Sequence, residues 1–467
     1  MRAIWIFLLL APLGAQPYDL VIRNGRVVDP ESGLDGVRQL GISAGKIRAI
    51  SAAPLEGRAA IDATGLVVAP GFIDLHSHGQ DEENYRYKAM DGVTTALEME
   101  VGVADVDAWY DKRKYQTLIN YGASVGHVPV RMRVMHDPGG FLPTGDAAHR
   151  AATGAEIAEC RRQIEEGLRR GAAGVGLGIQ YTPAASRWEI LEMFRAAAGF
   201  GAACFVHMRY AGDESVAALQ EMIADSSLTG APVHVAHITS NGLRSTPRLL
   251  QMIAEAHARK VDITTEMYPY TAAMTGIESA LLDPGWQDVL GIGYHDLEWA
   301  STGERLTAES FTRYRRQGGG VILHMIPQTA LDAAIASPLV LIASDGGLRN
   351  GKGHPRSSGT FARVLGRYVR ENHALSLMEA IRKMSLMPAE RLQDRVPAMR
   401  NKGRICEGAD ADLALFDPAT VADASTYEDP ARFSTGIRYV LVNGTPVVSG
   451  GRLREVTPGR AVRATVR

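Results

Sequence analysis

Residues 71–78 read GFIDLHSH, a short apolar run that ends on two histidines. A run of this length, introduced by Pro70 and Gly71, is typical of a buried strand in a parallel sheet. His76 and His78 are two positions apart, so both imidazoles project from the same side of an extended chain. Because imidazole is a common ligand of divalent metals, this stretch predicts a strand that delivers two ligands to one ion.

Seven further short apolar segments follow, most of them separated by helix-sized gaps. Eight strand–helix units predict an α/β chain with a closed (β/α)8 barrel, here over residues 67–400. The last gap is too long for one connection and predicts an insertion at about 276–338, in which residues 321–326 are a competing strand. The predicted barrel strands are 71–75, 94–100, 122–128, 173–179, 204–208, 233–238, 261–265 and 339–344.

The two ends of the chain differ from the middle, because they alternate apolar and polar residues in short runs. Each end contains an Asn-Gly pair between such runs, at Asn24 and at Asn443. Asn-Gly in this setting is a strong signal for a two-residue hairpin turn. The pattern predicts one small β-sandwich built from both termini, with residues 16–66 and 401–467.

The composition excludes several classes of protein. The 467 residues carry 50 Lys and Arg against 52 Asp and Glu, a net charge of −2 with neutral histidines. This balance lacks the basic field that binds nucleic acid, so a small-molecule substrate is the expected partner and the oligomeric state is left open. The chain has three cysteines, Cys160, Cys204 and Cys406. So small and odd a number does not form a disulfide framework.

Residues 1–15 read MRAIWIFLLLAPLGA, with an early arginine, an apolar middle and small residues at the end. This pattern is typical of a secretory signal peptide, and a buried strand is the alternative interpretation. The apolar run is too short for a membrane span, and no later stretch reaches 18 apolar residues. We therefore expect an exported protein, periplasmic or secreted after cleavage, without a membrane span.

Polar residues also end three later barrel strands. His207 ends the fifth strand, His237 ends the sixth, and Asp345 follows the eighth. The C-terminal strand ends of a barrel share one mouth, so these side chains are expected to meet His76 and His78. Neutral imidazoles suit zinc, and a carboxylate can accept a proton from metal-activated water. For Asp345 the alternative role is to cap the next helix.

Two other histidines are assigned differently. His234 lies three residues before His237 on the same strand and is expected to point elsewhere, in a structural role. His127 lies at the end of the third strand, where support of the site and packing in the core both remain open.

The motifs GFIDLHSH, FVHMR (205–209), VAHI (235–238) and IASDGG (342–347) resemble the amidohydrolase superfamily. Within it the chain resembles the D-aminoacylase group, the N-acyl-D-amino-acid deacylases. Three segments carry that closer resemblance, namely YTP (181–183), MYPYT (267–271) and HPR with GTF and RVLG (354–366). The resemblance implies a (β/α)8 barrel with a β-sandwich from both termini and hydrolysis of N-acyl-D-amino acids by one or two zinc ions or other divalent metals.

The resemblance also implies roles for single residues. Tyr181 would polarise the scissile carbonyl, Arg356 would bind the substrate's α-carboxylate, and Asp345 would act as catalytic acid and base. A guanidinium fork binds a carboxylate through two parallel hydrogen bonds, which agrees with the role of Arg356. The alternatives are a structural ion pair for Arg356 and simple packing for Tyr181.

The chain departs from the group at two positions. The group usually has a cysteine metal ligand after the GVTT segment (92–95), but here Glu98 and Glu100 follow it, and residues 173–180 hold no lysine to replace it. We expect Glu100, nearer the strand end, to be the ligand that joins His76, His78, His207 and His237, with Glu98 as the alternative. Thr239 stands where the group often has a lysine near the substrate, which leaves the side-chain preference open.

The same residues are compatible with two other functions. A hydantoinase-like or D-dipeptidase-like enzyme would use the same metal site on cyclic amides or dipeptides, although Arg356 favours a substrate with a free carboxylate. A non-catalytic, exported binding protein is supported only by the absence of the usual cysteine.

Overall fold

Eight buried parallel strands lie side by side in the middle of the chain and form the sheet of a (β/α)8 barrel in the computed structural model. They are hydrogen-bonded in chain order, and each falls within or overlaps one predicted segment, so the barrel prediction is confirmed. We call them barrel strands 1 to 8: Phe72–Asp74, Val93–Val103, Asn120–Gly126, Val175–Gly178, Cys204–His207, Val233–Val235, Ile263–Met267 and Val340–Ile342. The structure describes residues 17–466, and the predicted signal peptide, residues 1–15, lies outside them.

Helices connect the barrel strands and follow the last of them. Within residues 17–466, no helix combines the length and the apolar character that crossing a membrane requires. The α-helices outside the insertion are Glu82–Met90, Val106–Asp111, His127–Val134, Asp146–His149, Gly154–Arg169, Arg187–Ala198, Ser215–Thr229, Ile238–Gly242, Thr246–Ala258, Gln328–Ala336, Arg356–Arg363, Leu377–Met384 and Leu386–Leu392. A π-helix, Val364–Glu371, continues the helix that begins at Arg356.

Both termini build one nine-stranded sheet. Side chains from both ends, among them Ile22, Leu40 and Leu441, share one apolar core. The strand Val67–Pro70 pairs within this sheet, although residue 66 was the predicted end of the N-terminal part. The strands are Tyr18–Asp29, Leu34–Ser43, Lys46–Ser51, Gly57–Asp62, Val67–Pro70, Leu413–Phe416, Ile437–Val442, Thr445–Ser449 and Arg452–Leu453.

One of the two predicted hairpin turns is wrong. Asn443 and Gly444 do separate two paired strands, but Asn24 and Gly25 form a bulge inside the single strand Tyr18–Asp29. Asn24 has a φ of 61°, and a Cβ on Gly25 would lie 2.4 Å from Val68 Cγ2. The Asn-Gly pair therefore serves a β-bulge and a close packing contact, which need the same residue types as a turn.

The insertion between barrel strands 7 and 8 is a small unit with its own antiparallel sheet. Its strands are Ala273–Gly276, Leu297–Trp299, Glu304–Arg305 and Gly320–Leu323, and its helices are Trp286–Leu290 and Ala308–Gln317. The helix Gln328–Ala336, which follows it, packs into the barrel core. The competing segment 321–326 lies in this sheet, so it does not add to the barrel.

A buried ion pair joins the first and last barrel strands. Lys88 Nζ lies 2.8 Å from Asp74 Oδ2 and donates a 2.6 Å hydrogen bond to Ser344 Oγ. Ser344 in turn donates from its backbone N to Asp74 Oδ1 (2.9 Å) and from its hydroxyl to Asp74 Oδ2 (2.6 Å). These contacts close the barrel directly beneath His76 and Asp345.

Lys88→Met is expected to destabilise the fold by about 3–5 kcal/mol, because it leaves the Asp74 carboxylate buried without its cation. The midpoint of urea unfolding measures this. Arg162→Met, which removes an exposed pair with Glu159, is the control and is expected to cost about 0–1 kcal/mol. Equal shifts for both variants would contradict a structural role for the buried pair.

Candidate metal centre

The predicted ligands converge at the C-terminal mouth of the barrel. They form three overlapping groups, and within each group one ligand atom from every residue lies within 4.8 Å of those of the others. The groups are His76 with His78 and Glu100, Glu100 with His207 and His237, and His76 with His237 and Asp345. Five of the eight barrel strands supply or immediately precede these residues.

Glu100 lies between the two pairs of histidines. Its Oε2 is 3.7 Å from the Nε2 atoms of both His76 and His78, and its Oε1 is 3.4 Å from His207 Nδ1. One carboxylate can thus face two ions, one on each oxygen. Glu98 instead lies on the outer side of His78, with Oε2 2.9 Å from Nδ1.

Two buried atoms at the centre have no hydrogen-bond partner among the described residues. They are Glu100 Oε1 and His207 Nδ1, which face each other. Buried polar atoms are rarely left unsatisfied, so this pair indicates a ligand that the two atoms share. Four imidazoles and two carboxylates are a donor set that fits zinc.

Each histidine ring is held by a partner on its other nitrogen. Two of the rings are held by carboxylates at Nδ1. Glu266 lies 2.5 Å from His76 Nδ1, and Glu98 lies 2.9 Å from His78 Nδ1. An amide oxygen holds the other two: Gln180 lies 2.8 Å from His207 Nε2, and Asn241 lies 2.9 Å from His237 Nδ1. Such partners orient a ligand and fix which nitrogen faces the ion.

These supporting residues differ in how far the sequence could predict them. The sequence predicted Glu98 only as an alternative ligand. Its position two residues before Glu100 puts it on the same side of the strand, where it contacts His78. Glu266, a carboxylate within a predicted barrel-strand region, was a usable signal. Gln180 and Asn241 had none, because amides are common in loops. His234 bonds Glu266 at 3.0 Å and points away from the ligand cluster.

The carboxylates give the centre a strong affinity for positive charge. Burial alone would lower the pKa of His78, but the charge of Glu98 and hydrogen bonds to Asp345 and Glu98 raise it to about 10. Burial and the neighbouring His207 lower the pKa of His237 to about 3. His78 therefore tends to hold a proton at neutral pH, and a metal that binds there would displace it.

Asp345 links this cluster to an arginine. Its Oδ1 lies 3.4 Å from His76 Nε2 and 3.2 Å from His78 Nε2, and its Oδ2 lies 2.9 Å from Arg356 Nη1. Burial would raise the pKa of this carboxyl, but Arg356 and His76 hold it well below its ordinary value. Asp345 is therefore ionised and able to accept a proton.

Two residues of the centre adopt backbone conformations that side chains rarely occupy. The φ angles are 28° for His237 and 50° for Asp345. Such conformations cost about 1–3 kcal/mol each and persist where the surrounding structure enforces them, often at functional sites. Here they turn both side chains into the barrel mouth.

A cavity opens beside the ligand cluster, and Tyr181 and Tyr268 line it. The Tyr181 ring packs against His207, with ring centroids 4.8 Å apart, and its hydroxyl accepts a 3.4 Å hydrogen bond from Thr275. The Arg356 guanidinium stacks 4.4 Å from the Tyr268 ring centroid.

His127 lies apart from the metal ligands. It begins the helix His127–Val134, and its Nε2 is 2.8 Å from Glu189 Oε1, which also accepts from Arg131. All three side chains are fully buried. This placement is that of a core ion-pair network.

Comparison with known proteins gives consistent results. A family model described as "Amidohydrolase family" matches residues 59–448. The chain is 31% identical to D-aminoacylase of Alcaligenes xylosoxydans xylosoxydans, over 93% of this chain and 95% of that protein. It is also 31% identical to N-acyl-D-glutamate deacylase of the same organism, over 92% and 93%.

A solved structure shows the same architecture. It is N-acyl-D-glutamate deacylase from Bordetella bronchiseptica, complexed with zinc and a phosphonate inhibitor that mimics the tetrahedral intermediate. The TM-score is 0.84 at 27% sequence identity, and the match covers 96% of this chain and 100% of that chain.

Proposed function

The chain belongs to the amidohydrolase family, and from this premise we propose that it hydrolyses the amide bond of N-acyl-D-amino acids. The products are a carboxylate and a D-amino acid. The observation that carries the proposal is the 2.9 Å contact between Arg356 and Asp345 at the edge of the ligand cluster. It places a carboxylate-binding group directly beside a proton acceptor, and relatives that match more than nine tenths of the chain are deacylases of this kind.

The residues that would hold zinc follow from the geometry. Glu100, His207 and His237 would hold one ion, and His76 and His78, with the second oxygen of Glu100, would hold another. When bound, zinc polarises the amide carbonyl and lowers the pKa of a coordinated water molecule. In this reading Glu100 takes the place of the cysteine that the deacylase group usually carries.

Asp345 is placed to move the proton. Its Oδ1 faces the ligand cluster and would accept a proton from the attacking water, then deliver it to the nitrogen of the leaving amine. Tyr181 would donate a hydrogen bond to the carbonyl oxygen as negative charge develops there. Burial raises the pKa of the Tyr181 phenol, so the hydroxyl stays protonated at neutral pH and can donate.

Arg356 would position the substrate. Its guanidinium would take the α-carboxylate in two parallel hydrogen bonds, so that the amide lies over the metal ligands. Cyclic amides such as hydantoins lack that carboxylate, so the residue favours a linear substrate.

Arg356→Lys is expected to raise KM for an N-acetyl-D-amino acid by about 10- to 100-fold, because the lysine keeps the charge but loses the planar fork. Steady-state kinetics measure this, and kcat should change little by comparison. The matched control is the corresponding N-acetyl-D-amino acid amide, which has no carboxylate. Its KM should rise by less than about threefold in the variant. A fall in kcat with unchanged KM would show that Arg356 has another role.

The activity itself is tested on purified protein with and without zinc. We expect hydrolysis of N-acetyl-D-amino acids but not of their L forms, loss of activity after treatment with a chelator, and recovery when zinc is added back. A hydantoin and a D-dipeptide belong in the same panel. Equal rates on both enantiomers, or hydrolysis of the hydantoin alone, would count against the proposal.

We also propose that the protein is exported. The support is the sequence of residues 1–15, with its charged start, apolar middle and small-residue end. Expression of the full chain followed by cell fractionation and N-terminal sequencing tests this. A mature N-terminus near residue 16 in the exported fraction is expected, and an intact Met1 in the cytoplasm would contradict it.

A further inference from the structure

The wall of the cavity that faces the metal ligands is apolar. It is supplied mainly by the insertion, whose side chains Leu281, Leu290, Leu323 and Met325 line the cavity together with Ala211 from the barrel. Leu290 and Leu323 are buried in the insertion's own core, and Leu281 packs both against that core and against the cluster that contains Tyr181. The wall is therefore a fixed part of the fold.

The strand Ala273–Gly276 shows which part of a substrate meets this wall. At one residue its backbone accepts a hydrogen bond from the Arg356 guanidinium, 3.4 Å from Met274 O. At the next residue Thr275 donates to the Tyr181 hydroxyl. A substrate with its carboxylate at Arg356 and its scissile carbonyl at Tyr181 has its Cα between them, so the side chain on that carbon extends along the insertion.

The described residues lining the cavity include no lysine and no arginine, and Arg356 lies behind Asp345 and Tyr268, which do line it. Arg209, two residues before Ala211, is bound by both oxygens of Glu221, at 2.7 and 2.9 Å. Arg315, in the insertion, is bound to Asp283 and to the carbonyl of Leu282. With Arg356 bound to the α-carboxylate, the described lining offers no lysine or arginine to a second carboxylate.

We propose that the side-chain subsite of this enzyme selects neutral, apolar D-amino acids and rejects acidic ones. This proposal rests on the proposed function. The relatives of the chain include deacylases named for acidic substrates. A carboxylate placed against this wall would lose its hydration without gaining a cation, and burial of an unpaired charge is costly. Leu281 and Leu290 are the residues that set the selection.

The test compares three substrates of similar size with the zinc-loaded enzyme, namely N-acetyl-D-leucine, N-acetyl-D-glutamine and N-acetyl-D-glutamate. We expect kcat/KM for the leucine substrate to exceed that for the glutamate substrate by at least about 100-fold. The glutamine substrate has the shape of glutamate without its charge, and it should exceed glutamate by at least about tenfold.

Leu281→Arg tests the wall directly. Leu281 is only partly buried, so the arginine stem can lie along the wall while its head group reaches the cavity. The ratio of kcat/KM for glutamate over leucine is expected to rise by at least about tenfold. Leu281→Met, which conserves volume, is the control and should leave the ratio within about threefold.

The outcomes separate the two proposals. Preference for leucine in the unmodified enzyme, with a shift toward glutamate in Leu281→Arg, supports the inference. Equal or greater activity on N-acetyl-D-glutamate in the unmodified enzyme overturns it and leaves the proposed function in place. Hydrolysis of none of the three overturns the proposed function and this inference with it.

Discussion

Glu100→Gln is expected to lower the affinity for zinc by more than about 100-fold, which exceeds the ~10–100-fold typical of residues that only orient a ligand. Glu100 has one oxygen toward His76 and His78 and the other toward His207, so the substitution removes negative charge from both positions at once. An amide has nearly the same shape, so the fold should be retained. Activity at limiting zinc should fall with the metal content.

Glu98→Gln is the matched control for this variant. Glu98 is the same residue type on the same strand, but it contacts the outer nitrogen of His78. Its loss should weaken zinc binding by about 10- to 100-fold. Titration with a competing chelator and elemental analysis measure both variants. A larger loss for Glu98→Gln than for Glu100→Gln would show that the assignment of the ligand is reversed.

Asp345→Asn is expected to lower kcat by about 10²- to 10⁴-fold, the usual contribution of a positioned acid–base group. Asparagine fills the same space next to Arg356 but cannot accept a proton at neutral pH. The substrate still binds through Arg356, so KM should change far less than kcat. Steady-state kinetics on an N-acetyl-D-amino acid measure the split between the two.

The metal content of Asp345→Asn should be measured on the same sample. Zinc within about threefold of the unmodified enzyme is expected, because Glu100 and the histidines remain. A variant that keeps zinc and more than about one tenth of the activity would contradict the catalytic role of Asp345. Loss of zinc in step with activity would show that Asp345 acts mainly as a ligand.

The sequence predicted most of the barrel, because the information lies in local patterns. Short apolar runs mark the buried parallel strands, and the shared mouth of a barrel brings His76, His207 and Asp345 together although they are far apart in the chain. The same rule placed Glu100 near them. These inferences needed only the strand ends and the alternation of side chains along each strand.

Other features of the fold and the site depend on tertiary contacts that local sequence patterns do not encode. Asn24 and Gly25 have the composition of a hairpin turn, yet they form a bulge because the packing against Val68 leaves no room for a side chain. Gln180 and Asn241 orient histidines that only the folded chain brings beside them. The apolar wall beside the metal ligands comes from an insertion whose own fold gave no clear signal.

The most direct test of the account is an anomalous difference map from zinc-loaded crystals, with data collected on both sides of the zinc absorption edge. We predict a zinc peak bounded by the Glu100 carboxylate, His207 Nδ1 and His237. A peak that is coordinated by Glu98 and leaves Glu100 unbound, or no zinc at the barrel mouth, would contradict it.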